Sequence, residues 1–195
     1  MSGSDDKAAG SGEGPRWLPG DPAGRTMVDR IVRVDHAGEY GAVRIYAGQL
    51  AVLGRRHPAG AEIRRMAEQE ERHLETFETL IAERRVRPTA LTPLWHLAGF
   101  GLGAATALLG SRGAMACTVA VEETIDQHYA AQAKALEGLP EEAALKAVVE
   151  EFRADELEHR DTALAHGAED APAYPVLSAA VKAASRVAIW LSERI

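Results

Sequence analysis

Glu70-Glu71-Arg72-His73 and Glu156-Leu157-Glu158-His159 are the two stretches whose reading decides how this chain folds. Both are Glu-x-x-His. Each has a further glutamate about one helix length upstream: Glu39 lies 31 residues before Glu70, and Glu122 lies 34 before Glu156. The chain therefore reads as a duplicated helix pair, each half carrying Glu … Glu-x-x-His. Residues three apart share a helix face. Four carboxylates and two imidazoles aimed into one helical bundle are the ligand set of a dinuclear metal site.

The flanking periodicity supports this phase. A first helix fits from about Met27 to Gly54, with Val32, Asp35, Glu39, Ala42 and Tyr46 on one face. Gly54 and Pro58 end it. A second fits from about Ala59 to Val86, with the stripe Ile63, Met66, Glu70, His73, Phe77, Leu80. A third spans about Arg112 to Glu137; its stripe of Met115, Val119, Glu122, Asp126, Tyr129 and Leu136 favours Glu122 over Glu123 as the inward acid. A fourth runs from about Glu141 to His166, with Leu145, Val149, Phe152, Glu156, His159 and Ala163 in line. A last apolar helix follows Pro175, from about Val176 to Arg194.

Glutamates on apolar stripes need a reason. Burying one ionised carboxylate without a partner costs at least several kcal/mol. Four together repel one another and take up protons. Arg72 and Arg160 adjoin the stripes, but their phase turns them outward. Two divalent cations offset the four negative charges, and neutral imidazoles complete the coordination. We expect Glu70 and Glu156 to bridge, Glu39 and Glu122 to be terminal, and His73 and His159 to bind one metal each. The O/N donor set fits iron or manganese, and the lack of thiolates disfavours zinc or iron–sulfur centres. Asp35 and Asp126, each one turn from a terminal glutamate, are candidates to orient the metal-bound histidines. His36, His57, His96 and His166 are not expected among the ligands.

Composition bounds the rest. The 195 residues suit one domain, expected over 25–195. A net charge of −7 argues against nucleic acid as the main partner. The single cysteine, Cys117, allows no intrachain disulfide, fits a reducing compartment and reads as a buried small residue. Residues 1–24 hold six glycines and three prolines, which predicts a disordered N-terminal tail. They lack the marks of a secretory or mitochondrial leader, so a bacterial cytoplasmic location is expected.

Residues 88–111 carry no Asp, Glu, Lys or Arg. Their length would allow a membrane-crossing helix, for which about 20 apolar residues suffice. A full crossing would put Glu39, Glu70 and His73 on one side of the bilayer and Glu122, Glu156 and His159 on the other. The shared site could not then form. The segment instead lies on the membrane, dips in and returns, or caps the bundle. Trp95 and His96 near its start suit an interfacial position.

Five stretches carry a resemblance to a known family. They are Val34-Asp35-His36-Ala37-Gly38-Glu39-Tyr40-Gly41-Ala42, Glu68-Gln69-Glu70-Glu71-Arg72-His73, Cys117-Thr118-Val119-Ala120-Val121-Glu122-Glu123, Asp155-Glu156-Leu157-Glu158-His159 and Arg186-Val187-Ala188-Ile189-Trp190-Leu191-Ser192-Glu193-Arg194. Over about residues 25–195 the chain resembles the demethoxyubiquinone hydroxylases of ubiquinone biosynthesis, which are ferritin-like di-iron carboxylate proteins. The resemblance implies an all-α, ferritin-like four-helix bundle with additional apolar helices. It implies a monooxygenase that uses two Fe ions, O2 and two external electrons to hydroxylate the ring of a demethoxy polyprenyl quinone or quinol. NADH is the implied electron source, although no Gly-x-Gly-x-x-Gly is present. It also implies that His128 and Tyr129 assist electron or proton transfer.

The implied setting is peripheral, on the cytoplasmic face of the bacterial inner membrane. The 93–110 segment and the final helix are where lipid or a homodimer partner would attach; a quinone-presenting protein is a further partner that the sequence does not locate. Two rival readings share the bundle. A ferritin-type iron-storage protein needs a hydrophilic exterior, which 88–111 fits poorly. A di-metal enzyme of peroxide detoxification of the rubrerythrin kind usually adds a Cys-rich domain, which a single cysteine excludes.

Overall fold

Apolar residues spaced by three and four, punctuated by glycine and proline, become six α-helices in the computed structural model, which describes residues 24–54 and 56–195. They are α1 (Gly24–Leu53), α2 (Gly60–Arg84), α3 (Thr92–Ala107), α4 (Ser111–Leu136), α5 (Ala143–Ala165) and α6 (Tyr174–Ser192). Short 3-10 turns, Pro140–Glu142 and Ala168–Asp170, precede α5 and α6. No strand occurs among the described residues. The fold is an all-α, ferritin-like bundle. The tail expected over residues 1–24 lies almost wholly outside the described residues.

The expected helix ends match to within a few residues, and the caps explain them. Gly54 takes φ +78°, which an L side chain rarely adopts, and its amide bonds Leu50 O at 2.9 Å. Arg85 ends α2 at φ 55°, with the Val86 amide closing on Ile81 O at 3.0 Å. Pro175 sits inside the first turn of α6 rather than before it, where its missing N–H costs nothing.

The duplication extends to a third helix. α1 packs on α2, and α4 on α5; α3 then returns along α1, and α6 along α4. The α1–α3 contact is backbone to backbone. A Cβ on Gly103 would meet Ile45 O at 1.9 Å, and one on Gly48 would meet Phe100 O at 2.2 Å. Only glycine permits that approach.

Two apolar clusters fill the bundle. One includes Tyr46, Ile63, Met66, Met115, Val119 and Ala163. The other includes Val32, Phe77, Tyr129, Leu136, Val149 and Phe152. Along each of the four helices, the Glu and His residues of the repeat fall between these two sets. The acidic layer is thus walled by hydrocarbon on both sides. Cys117 is buried and free, and burial pushes its thiol up to about 12.

The 88–111 segment resolves into a short helix with an exposed turn. At 16 residues α3 is about 24 Å long, less than the roughly 30 Å hydrocarbon core of a bilayer. Among the described residues no helix is long and apolar enough to cross a membrane. Trp95 does not point outward: it is half-buried, and its Nε1 donates to Ser192 Oγ at 3.0 Å, tying α3 to the end of α6. Around this segment and α6 the large exposed apolar residues are Leu94 and Leu97 on α3, Leu108 and Leu109 after it, Val176, Val187 and Trp190 on α6, and the terminal Ile195.

Candidate metal centre

The helical phase set by the apolar stripes turns Glu39 (α1), Glu70 and His73 (α2), Glu122 (α4), and Glu156 and His159 (α5) into the bundle. None is more than 2% exposed. Their ligating atoms form two groups, each within 4.8 Å: Glu39, Glu70, His73 and Glu156, and Glu70, Glu122, Glu156 and His159. Glu70 and Glu156 belong to both groups; Glu39 and Glu122 belong to one each. His73 Nδ1 lies 3.3 Å from Glu156 Oε1 and 3.6 Å from Glu39 Oε2. His159 Nδ1 lies 3.0 Å from Glu70 Oε1 and 3.1 Å from Glu156 Oε2.

A metal pair fits this cluster on two counts. Glu70 Oε1, Glu122 Oε2, both oxygens of Glu156, and Nδ1 of both histidines are buried without a well-formed hydrogen bond. Buried polar atoms in that state are rare unless something else occupies them. The ion pairs these carboxylates make run to His73 and His159, not to permanent cations. Arg72 turns back to Glu68 O and Arg160 to Asp161.

Protons carry the balance in the metal-free chain. Burial pushes Glu70 well above the ordinary carboxylate range, and the charges of Glu156, Glu39 and Glu122 push it further. Burial and then Glu156 do the same to Glu122. Glu156 goes the other way, to about 2: burial alone would raise it, but the imidazoles of His159 and His73 beside it prevail. Burial favours a neutral His73, but Glu156 and Glu39 outweigh it and hold the ring protonated up to about 10.

Both histidines are held from behind. His73 Nε2 bonds Asp155 Oδ2 at 3.0 Å, and His159 Nε2 bonds Gln69 Oε1 at 3.1 Å. Phe152 stacks on His73 with centroids 3.8 Å apart and planes at 20°. This corrects the expectation for Asp35 and Asp126. Asp126 accepts from Arg153 Nε at 2.7 Å, and Asp35 accepts from Gln132 Nε2 at 2.7 Å; neither is bonded to His73 or His159. The reason is helical reach: one turn along the same helix points beside a ligand, not behind a ring on the facing helix. The signal was in the sequence all the same, since a polar residue directly precedes the glutamate of each Glu-x-x-His.

Tyr129 is fully buried, and its hydroxyl donates to Glu39 Oε1. His128 is one-fifth exposed; its Nε2 lies 3.6 Å from Asp35 Oδ1 and 2.8 Å from the Gln132 amide nitrogen. Tyr46, expected only on the inward face of the first helix, also joins the site. Its hydroxyl donates to Glu122 Oε1 at 3.0 Å. The clue was a Glu-x6-Tyr spacing present twice, Glu39–Tyr46 and Glu122–Tyr129. Burial first, then nearby carboxylates, raises both phenols well above the usual range. His36, His57, His96 and His166 stand outside both groups.

An apolar cavity of about 250 Å³ opens on the α1–α4 side of the cluster. Gly38, Gly41, Trp95, Leu102, Val121 and Ile189 are among its walls, so it lies between α1, α3, α4 and α6. Gly38 and Val121 directly precede Glu39 and Glu122.

Residues 26–192 match the family described as Ubiquinone biosynthesis protein COQ7. The chain is 59% identical over 178 residues to a 3-demethoxyubiquinol 3-hydroxylase of Rhodospirillum rubrum, covering 91% of this chain and 83% of the relative. It is 57% identical to the NADPH-dependent 3-demethoxyubiquinone 3-hydroxylase, mitochondrial, of Homo sapiens, covering 90% and 81%. Identity to the 5-demethoxyubiquinone hydroxylase, mitochondrial, of Saccharomyces cerevisiae is 44%, covering 87% and 78%.

Proposed function

Because this chain belongs to the COQ7 family of ubiquinone biosynthesis proteins, we infer that it is a demethoxyubiquinone hydroxylase. It is an O2-dependent monooxygenase that places one hydroxyl on the ring of a demethoxyubiquinone or its quinol. The observation that carries the chemistry is the buried set of four glutamates and two histidines whose unpartnered atoms face one another. Iron storage is the weaker reading, because it needs neither the apolar cavity beside the cluster nor relatives with a hydroxylase name.

We assign Glu39, Glu70, His73, Glu122, Glu156 and His159 as ligands of two iron ions, with Glu70 and Glu156 shared. When bound, the pair supplies two-electron reduction of O2. The ring replaces C–H by C–OH, and the second oxygen leaves as water. The balance therefore needs two electrons and two protons from outside. NADH or NADPH is the assigned source of the electrons; the human relative is named for NADPH.

The chain's own residues do the rest. The cavity takes the quinone ring between Gly38, Gly41 and Val121, on the side of the terminal glutamates, and sends the polyprenyl tail out between α3 and α6. Its hydrocarbon walls exclude water. The Tyr129 hydroxyl donates to Glu39 and the Tyr46 hydroxyl to Glu122, so each phenol orients one terminal carboxylate. His128, partly exposed and joined to Gln132 and Asp35, is the group through which protons reach that end of the site.

The exposed leucines of α3 and the Val187–Trp190 face of α6 rest on the membrane that dissolves the substrate. We place the protein peripherally on the cytoplasmic face of the bacterial inner membrane. A homodimer partner or a quinone-presenting protein would use the same face. The test is iron per chain in anaerobically reconstituted protein, then O2 addition with a short-tailed demethoxyquinol. Two irons and a product heavier by one oxygen support the reading. Two irons without product would leave storage or peroxide chemistry, and no bound iron would end the assignment.

A further inference from the structure

The two Glu-x-x-His motifs are alike in sequence, but what stands behind their imidazoles differs. His73 Nε2 bonds a carboxylate, Asp155 Oδ2, at 3.0 Å. His159 Nε2 bonds an amide oxygen, Gln69 Oε1, at 3.1 Å. That same amide oxygen accepts from Arg65 Nη1 at 2.8 Å. The guanidinium is fixed in place by Glu62 at 3.2 Å, Glu158 at 3.0 Å and Thr162 at 3.3 Å. One imidazole therefore leans on an anion. The other leans on a neutral oxygen already polarised by a cation.

The consequence falls at the opposite ring nitrogen. An imidazole that donates Nε2–H to a carboxylate becomes a stronger donor at Nδ1, the atom turned toward the cluster. An amide oxygen shared with a guanidinium draws less on its N–H, and the effect is smaller. The terminal glutamates do not offset this difference, because each receives one phenol hydroxyl, from Tyr129 and from Tyr46.

We propose that Asp155 and the Gln69–Arg65 pair make the two metal positions unequal, so that the Glu39–His73 position binds a divalent ion more tightly than the Glu122–His159 position. This rests on the dimetal reading above. Asp155 and Gln69 are positioning residues: each acts through a histidine of the facing helix.

The test is anaerobic titration of the full-length apoprotein with Fe(II), with Mössbauer spectra of 57Fe at one and two equivalents. In the unaltered chain two binding steps separate by about tenfold or more, and one equivalent gives a single quadrupole doublet. Asp155→Asn, which keeps the shape, weakens the first step toward the second and perturbs that doublet. Gln69→Glu strengthens the second step, a gain that a folding defect cannot produce. Equal steps in the unaltered chain would overturn the proposal, as would Asp155→Asn weakening both steps alike, or Gln69→Glu leaving the second step unchanged. If two irons bind equally, this proposal alone fails; if none binds, the dimetal reading fails with it.

Discussion

The hydroxyl of Tyr46 on α1 donates to Glu122 on α4 at 3.0 Å, and the hydroxyl of Tyr129 on α4 donates to Glu39 on α1. Each tyrosine lies two turns after the glutamate of its own half and serves the glutamate of the other. The same crossing governs the histidines, since Asp155 of α5 supports His73 of α2 and Gln69 of α2 supports His159 of α5. Every supporting contact thus runs between the halves, so neither half assembles its share of the cluster alone.

Tyr129→Phe and Tyr46→Phe separate these phenols. Each removes one buried hydrogen bond to a carboxylate, which costs about 1–3 kcal/mol. Both variants should keep their iron. Tyr129→Phe should also lose most turnover with NADH or NADPH. Full activity of Tyr129→Phe with the nicotinamide and with a chemical reductant alike would remove it from the transfer route.

Glu70→Gln and Glu156→Gln remove the carboxylates common to both groups. Metal and activity should disappear while helical content stays, because the apoprotein protonates its remaining acids. Metal analysis beside circular dichroism checks this. Unchanged two-iron loading in both variants would refute the shared-ligand assignment.

The apoprotein should lose stability as pH rises. Glu70 and Glu122 have folded pKa values above their ordinary 4.5, so their contribution is present below 4.5 and fades as pH climbs through the raised values. His73 follows the same rule from 6.5 to about 10. Glu156 has the opposite sign: its contribution is present above 4.5 and is lost as pH falls toward about 2. The apoprotein's Tm should therefore peak on the acid side of neutrality. The Tm gained on adding Fe(II) should grow between pH 5 and pH 8, because metal displaces protons. A gain that shrinks over that range would contradict the charge balance drawn for the cluster.

Gly41→Leu probes the cavity. A Cβ at Gly41 meets nothing within 4 Å, and the residue lines the cavity wall. Replacing a mid-helix glycine with leucine favours the helix by up to about 1 kcal/mol. Tm should hold or rise and iron should stay, while turnover of the quinol falls by about tenfold or more. By contrast, Gly103→Ala drives a Cβ into Ile45 O and should destabilise by about 1–3 kcal/mol or more. Undiminished turnover in Gly41→Leu would place the substrate elsewhere.

Leu97→Glu and Trp190→Glu test the membrane face. Both side chains are exposed, at 72% and 54%. The double variant should fold and bind iron normally yet float poorly with lipid vesicles, since charge opposes burial at the bilayer surface. Equal flotation of both proteins would move the membrane contact to another surface.

Periodicity determined five of the six helices, α3 excepted, and the inward faces of the four that carry the cluster. Residue spacing records helical phase, and a stripe of apolar residues with Glu and His in register has one way to be buried. The four-helix layout and the list of inward acids were legible for that reason. The tertiary structure decided what spacing cannot encode: which residues of one helix lie behind a side chain of another. Asp126 was expected behind a histidine and instead meets Arg153, while Asp155 and Gln69, off the inward stripe, hold His73 and His159. The crossed phenols and the cavity between α1, α3, α4 and α6 are of the same kind. They depend on how four helices are rotated and offset against one another, and that is fixed by packing across the bundle rather than by the period along any one helix.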